Sequence, residues 1–279
     1  MSGTLYLCAT PIGNLSDMSP RIIETLQMAD LIAAEDTRNS IKLLNHFNID
    51  TPMTSYHEYN KVDKAKVLVD KLKSGMNIAL ITDAGTPAIS DPGEVMVAMC
   101  HKEHIPVTSL PGPAALIVAL TLSGLPTRRF CFEAFLPSEK KERKQILEDL
   151  RNESRTIIIY EAPHHLKGTL KELYGVLGNR RITLCRELTK KFETVMPTTM
   201  EAAMEYYESE EPRGEYVLVI EGKSFEEQKA ENIASFESIS IEEHMEMYES
   251  KGVDHKEAMK LVAKDRGVSK RDIYNYLNT

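Results

Sequence analysis

The chain has no Cys-x-x-Cys pair. Its four cysteines, Cys8, Cys100, Cys131 and Cys185, are scattered, which removes a zinc site and a disulfide framework and suits a reducing cytoplasm. No run of about eighteen apolar residues occurs, so no membrane span is expected. The first apolar run, Thr4–Ala9, is too short for a secretory leader and follows no basic segment. Without secretion, the glycosylation-like triplets Asn14–Ser16 and Asn152–Ser154 are chance matches. An excess of base is missing too. The net charge of −8 argues against a protein that coats nucleic acid, while leaving room for a local basic patch. G-x-G-x-x-G and G-x-x-x-x-G-K-[ST] are both absent, so NAD and ATP chemistry lose support. There is no G-x-S-x-G, no H-E-x-x-H and no catalytic Cys/His signature, hence no ready nucleophile.

What is present is an alternation of short apolar runs and amphipathic stretches. Strands are expected at Thr4–Ala9, Leu31–Ala34, Ile78–Thr82 and Val107–Leu110, with helices at Ser19–Met28, Thr37–Phe47, Lys61–Lys73, Glu94–Lys102 and Ala114–Ser123. That order predicts an α/β fold with a largely parallel, covered sheet. After a turn near Gly124–Thr127 a second series begins. Its strands are expected at Phe130–Phe135, Thr156–Tyr160, Arg181–Arg186, Phe192–Met196 and Glu215–Ile220, with helices at Ser138–Leu150, His165–Leu177 and Met200–Glu208. The close spacing around Arg181–Met196 predicts a mixed sheet with an antiparallel pair. From this follow an N-terminal α/β domain, 1–124, a C-terminal α/β domain, 125–223, and a helical appendage, 224–279. The appendage turns from acidic, Phe225–Ser250, to basic, ending in two short helices joined at Arg266-Gly267-Val268. It reads either as a helical cap or as a nucleic-acid contact through Lys260, Lys264, Lys270 and Arg271.

Chemistry should sit where strands of an open α/β sheet run out into loops. Four loops qualify. The first is Ala9–Pro20. The third, Asp83-Ala84-Gly85-Thr86-Pro87-Ala88-Ile89-Ser90-Asp91-Pro92-Gly93, is the strongest, because Gly85 and Gly93 reach backbone conformations closed to other residues while its prolines stiffen it. Such a loop presents backbone groups to a small ligand at close range. The fourth, Ser109–Leu116, is a Pro-Gly-Pro turn opening onto Ala114 and Ala115, whose small side chains leave room for a flat ring or a methionyl chain. The second, Ala33–Ser40, places Glu35, Asp36 and Arg38 at a helix start. Those acids either complement the helix dipole or, with the arginine, hydrogen-bond a polar substrate.

In the second half, Glu161, His164 and His165 lie where a strand becomes a helix. Adjacent histidines diverge and no third ligand follows at a useful spacing, so no metal is expected; a hydrogen-bonding or proton-accepting histidine fits better. Arg186, Lys190 and Lys191 cluster with Glu187 and Glu193, either as a solvated charged hairpin or as a phosphate patch. A cofactor pocket without covalent machinery suits group transfer, where positioning does much of the work.

The collinear set ATPIGNLSDMSPR, AEDTR, DAGTPAISDPG, LPGPAA, FEAFLP, YEAPHH, RELTKKFE and PRGEYVLVIEG, from about Thr4 to Gly222, resembles the tetrapyrrole methylase superfamily. Within it the chain resembles the bacterial small-subunit ribosomal RNA (cytidine-2′-O)-methyltransferases. The resemblance implies two α/β domains with S-adenosylmethionine in the cleft between them, and a cytoplasmic homodimer. It also implies methyl transfer to a ribose 2′-hydroxyl of a cytidine in the decoding region, within the assembled 30S subunit. The superfamily's Gly-Asp-Pro turn corresponds to Gly85-Thr86-Pro87; Thr86 departs from the pattern as this ribosomal branch does, which points away from a macrocyclic substrate. Pro11-Ile12-Gly13 and Pro111-Gly112 match two further cofactor loops, and contacts are implied near Tyr160, Cys185 and Gly214-Glu215. The expected cofactor set is therefore Pro11, Ile12, Asp83, Ala84, Gly85, Thr86, Ile89, Pro111, Gly112, Ala114, Ala115, Tyr160, Cys185 and Glu215. Arg38, Arg186, Lys190 and Lys191 are expected on the substrate. Glu35, Asp36, Glu161 and His164 are the candidate proton acceptors, and spacing does not choose among them.

Overall fold

The computed structural model describes residues 1–236 and 238–278; Glu237 and Thr279, both within the expected appendage, lie outside the described residues. Five strands, β1 (Leu5–Cys8), β2 (Leu31–Ala34), β3 (Met53–Ser55), β4 (Ile78–Ile81) and β5 (Val107–Leu110), form a sheet in the order β3-β2-β4-β1-β5. Every pairing in it is parallel. Ile78–Ile81 is buried along its whole length, as a parallel strand covered on both faces must be. Helices α1 (Pro20–Met28) and α2 (Thr37–His46) cover one face through Ile22, Leu26 and Leu44; α3 (Lys61–Lys73) and α4 (Gly93–Lys102) cover the other through Leu68, Leu72 and Met96. Ser19 caps α1 ahead of Pro20, and Asp36 caps α2. Apolar patterning does not predict β3: three half-buried residues on a sheet edge carry too little of it to announce a strand.

The second sheet runs β6 (Phe130–Phe135), β7 (Thr156–Glu161), β10 (Tyr216–Ile220), β8 (Arg181–Arg186), β9 (Thr194–Thr199). Only β6 and β7 are parallel, so the sheet is mixed, with the expected antiparallel β8–β9 pair. Strand β9 begins at Thr194 rather than Phe192, because Glu187 and Thr189 take positive φ and widen the hairpin. Helices α6 (Lys140–Leu150), α7 (Pro163–Leu177) and α8 (Met200–Ser209) bury Leu147, Leu166, Leu170 and Ala203 against one face. The opposite face is covered by α5 (Ala115–Leu122), which precedes the turn and yet packs Leu116, Ala119 and Leu120 on Ile158, Val217 and Val219.

The appendage has four helices among the described residues: α9 (Phe225–Ser235), α10 (Ile241–Glu249), α11 (His255–Asp265) and α12 (Lys270–Leu277). The acidic stretch Phe225–Ser250 holds two helices, because Ser240 and Glu243 form a capping box that starts α10 afresh. Met245, Val262 and Ile273 give the last three helices a small core. No described helix is long and apolar enough to cross a membrane.

Candidate active site

The strand-end loops of the first sheet are bound to one another. Thr10 and Gly85 exchange backbone hydrogen bonds of 2.9 and 3.0 Å, and Thr10 Oγ1 donates to the Thr82 carbonyl at 3.1 Å. Thr86 Oγ1 donates to the Pro113 carbonyl at 2.9 Å, joining the loop after β4 to the loop after β5. Within DAGTPAISDPG, Asp91 accepts from the backbone N–H groups of Ala88, Ile89 and Gly93. These bonds hold Ala88 and Ser90 at φ of 68° and 64°, a region that side chains disfavour. The result is a rigid shelf with a carbonyl- and amide-rich surface.

Facing that shelf across a cleft are the ends of β7, β8 and β10. Of the expected cofactor residues, Ile12, Ala84, Gly85 and Thr86 line the cleft, as do Ile89, Ala114 and Ala115 from the first half. Tyr160, Cys185 and Glu215 line it from the second. Pro11, Asp83, Pro111 and Gly112 do not; they shape the loops behind the wall. Phe135, Leu188, Tyr216 and Val217 also line it and were missed. A period-two argument would have found Val217, two residues beyond Glu215 along the extended chain that enters β10. Burial pushes the Cys185 thiol up to about 12, so it is no nucleophile.

Tyr160 joins the two halves. Its ring meets Phe132 and Phe135 edge to face, and its hydroxyl accepts the Leu116 N–H at 3.0 Å. That N–H is one of the open donors at the start of α5, whose cap residue Ala114 has no side-chain acceptor. Tyr160→Phe should therefore lower stability by about 1 kcal/mol and loosen the α5 end of the cleft. Denaturant melts beside calorimetric cofactor binding would detect both changes.

The expected proton acceptors fare differently. Glu35 Oε2 accepts from Thr82 Oγ1 at 2.5 Å and from Asp83 N at 3.4 Å, tying the second loop to the third outside the cleft. Asp83 returns the tie by accepting from Asp36 N and Asn39 Nδ2, both at 3.2 Å. Asp36 caps α2 and forks onto Arg38 at 3.1 and 2.7 Å; the Arg38 guanidinium and amide hold its carboxyl at about 2. Both dipole complement and ion pair are thus present at Asp36, and no oxygen of it reaches the cleft. Glu161 lines the cleft with its side chain turned inward: one oxygen accepts from Ala162 N at 2.8 Å and the other from the Thr169 hydroxyl. His164 is exposed on α7 against His165 and lies outside the cleft.

The basic cluster is not a single patch. Lys190 lines the cleft, where Nζ donates to Glu187 at 2.8 Å and Glu215 at 2.9 Å. Its stem crosses Gly13 closely enough that no side chain fits between them. Arg186 donates only weakly, at 3.4 Å, to the Phe192 carbonyl, and its Nε is buried without a partner among the described residues. Lys191 lies 5.6 Å from the exposed Phe192 ring. Arg38 remains 87% exposed. No group of His, Cys, Asp and Glu among the described residues is placed to hold a metal.

Residues 4–203 match the Tetrapyrrole (Corrin/Porphyrin) Methylases. The chain is 50% identical to "Ribosomal RNA small subunit methyltransferase I" of Halalkalibacterium halodurans over 273 residues, covering 98% of this chain and 94% of that one. It is 46% identical to the protein of the same name from Synechocystis, over 98% and 96% of the two chains. Among solved structures it is similar to a diphthine synthase, with TM-score 0.62, 12% identity and coverage of 78% and 90%. It is also similar to a uroporphyrin-III C-methyltransferase from Thermus thermophilus complexed with S-adenyl homocysteine, with TM-score 0.54, 18% identity and coverage of 78% and 97%.

Proposed function

Because the chain belongs to the tetrapyrrole (corrin/porphyrin) methylase family, we propose that it is an S-adenosylmethionine-dependent methyltransferase of small-subunit ribosomal RNA. Its acceptor is the ribose 2′-hydroxyl of a cytidine in the decoding region. The observation that carries this reading is near-full-length identity of about half to a protein named as a small-subunit ribosomal RNA methyltransferase, appendage included.

The cleft suits the cofactor. Gly85, at φ 87°, would place a Cβ 3.4 Å from Ile12 Cγ2, filling the gap between the first and third loops, and Ala84, Ala114 and Ala115 add little bulk. Backbone groups of Ala84–Thr86 and the side chains of Ile12, Ile89 and Tyr160 would hold it, with Thr86 Oγ1 already engaged by Pro113. When bound, S-adenosylmethionine supplies an electrophilic methyl group on a positive sulfonium. Glu161, Glu187 and Glu215 outnumber Lys190 on the wall, which favours a cation there. The residues of the two halves together exclude water and align the acceptor hydroxyl behind the transferred carbon.

On the same reading the protein is a cytoplasmic homodimer that meets its RNA in the assembled 30S subunit. Ile117 and Leu122 on α5, with Phe130 and Phe135 on the edge strand β6, supply exposed apolar surface for a second copy. The appendage assists through its basic helices: Lys264 and Arg271 are exposed on α11 and α12, whereas Lys260 is paired with Glu257 and Lys270 with the Lys256 carbonyl. Reversing both charges, Lys264→Glu with Arg271→Glu, should weaken subunit binding and lower the slope of log affinity against log salt by about 1–2. An unchanged slope leaves α9–α12 a structural cap. The whole reading is tested by incubating the protein with labelled cofactor and purified small subunits, then mapping ribose methylation. Transfer to a base, or to a tetrapyrrole in place of RNA, would overturn it.

A further inference from the structure

Three carboxylates line the cleft, and they are not equivalent: Glu161, Glu187 and Glu215. Both Glu161 oxygens are engaged inside the protein, and the residue is 4% exposed. The Glu215 side chain is 81% exposed at the mouth, tethered by Lys190. Glu187 is 21% exposed, and its Oε1 accepts from two donors, Lys190 Nζ at 2.8 Å and Glu215 N at 3.0 Å. No described residue donates to Oε2. The backbone is bent to achieve this, with φ 52° at Glu187. Opposite, Gly214 at φ 75° vacates the space, since a Cβ there would stand 2.4 Å from Glu187 Cγ and 2.6 Å from Cδ. Strain of this kind persists where the surroundings over-determine it, and it concentrates at working sites.

Resting on methyl transfer to a ribose hydroxyl, we propose that Glu187 takes the hydroxyl proton, through Oε2. The 2′-oxygen forms its bond to the methyl carbon as the carbon–sulfur bond breaks. The electron pair of the broken bond stays on sulfur, and the hydroxyl proton passes to Oε2 and then to water. A strong base is not required. As the new C–O bond forms, the attached proton becomes far more acidic than a carboxylic acid, so transfer late in the step suits a weak base. The Lys190 ammonium holds the Glu187 carboxyl below its ordinary range, which keeps it ionised and ready to accept.

Glu187→Gln tests this, because the amide keeps an oxygen for Lys190 and for the Glu215 N–H while losing the ability to take a proton. The single-turnover rate on small subunits should fall on the order of 100-fold or more, with S-adenosylhomocysteine affinity by calorimetry and subunit affinity each held within about threefold. Lys190→Gln, which leaves the carboxylate in place, should stay at least about tenfold faster than Glu187→Gln. The inference fails if Glu187→Gln keeps its rate, if its cofactor affinity falls in step with the rate, or if the two variants lose rate equally. If the unaltered protein methylates no small-subunit RNA, the proposed function falls and takes this inference with it. A methylating parent with an unimpaired Glu187→Gln variant refutes the inference alone.

Discussion

Gly85→Val should abolish cofactor binding while leaving a folded protein. The position has φ 87°, where a β-branched residue is strained, and the first added carbon already stands 3.4 Å from Ile12 Cγ2. The two methyl groups beyond it have only the cleft to enter, or else they push the Pro11-Ile12-Gly13 loop away. Either way the paired Thr10–Gly85 backbone bonds and the wall of the cleft cannot both survive. We expect affinity for S-adenosylhomocysteine to fall by more than about 100-fold, or about 2.7 kcal/mol. Circular dichroism should change little, because the loop lies outside both sheets. Calorimetric titration is the deciding measurement, and binding within tenfold of the parent would mean that the ligand does not use this shelf.

A stability effect of similar size is expected far from the cleft, at Arg180. This side chain is 6% exposed and donates to the carbonyls of Arg151 at 2.8 Å and of Glu153 and Glu221 at 3.4 Å. Burial pulls its guanidinium pKa down, yet the group stays charged because arginine starts so high. It pins together the turn after α6, the end of β10 and, through the adjacent Lys223 bonded to Asn152 and Glu231, the first helix of the appendage. Arg180→Met keeps most of the volume and removes the guanidinium from three carbonyls, of which that of Glu153 still accepts the Lys223 N–H at 2.7 Å. The cost should be about 2–4 kcal/mol, read from urea unfolding at constant m-value. A loss below about 0.5 kcal/mol would show that water replaces the guanidinium freely.

Sequence and structure agree best where backbone chemistry is local. Glycines and prolines at strand ends announced the loops after β1, β4 and β5, because turns at those places demand such residues, and these loops make one wall of the cleft. Ser19-Pro20 and Asp36 likewise announced helix starts. Partnership across long separations was not legible. Lys190 reads as an open cation until Glu215, twenty-five positions later, is seen to pair with it. Glu35 and Asp36 read as complements to a helix dipole or as hydrogen-bonding groups for a polar substrate, whereas a threonine hydroxyl and an arginine fork already occupy them. Glu187 showed the reverse: it looked like one charge in a solvated hairpin, and only its neighbours Gly214 and Glu215, brought alongside by the β8–β10 pairing, set it apart.

Helix α5 makes the two halves of the chain poor candidates for separation. It is encoded with the first sheet, opens at that sheet's cleft-side loop, and yet serves as the roof of the second, where Leu116, Ala119 and Leu120 meet Ile158, Val217 and Val219. A cut at the Gly124–Thr127 turn would strip one fragment of its roof and leave the other carrying an unpartnered oily rod. Recombination between relatives at that turn would meet the same difficulty, since a transplanted first half brings its own roof to a foreign sheet. The turn that sequence marks most plainly therefore lies beyond the helix that fastens the two sheets to each other.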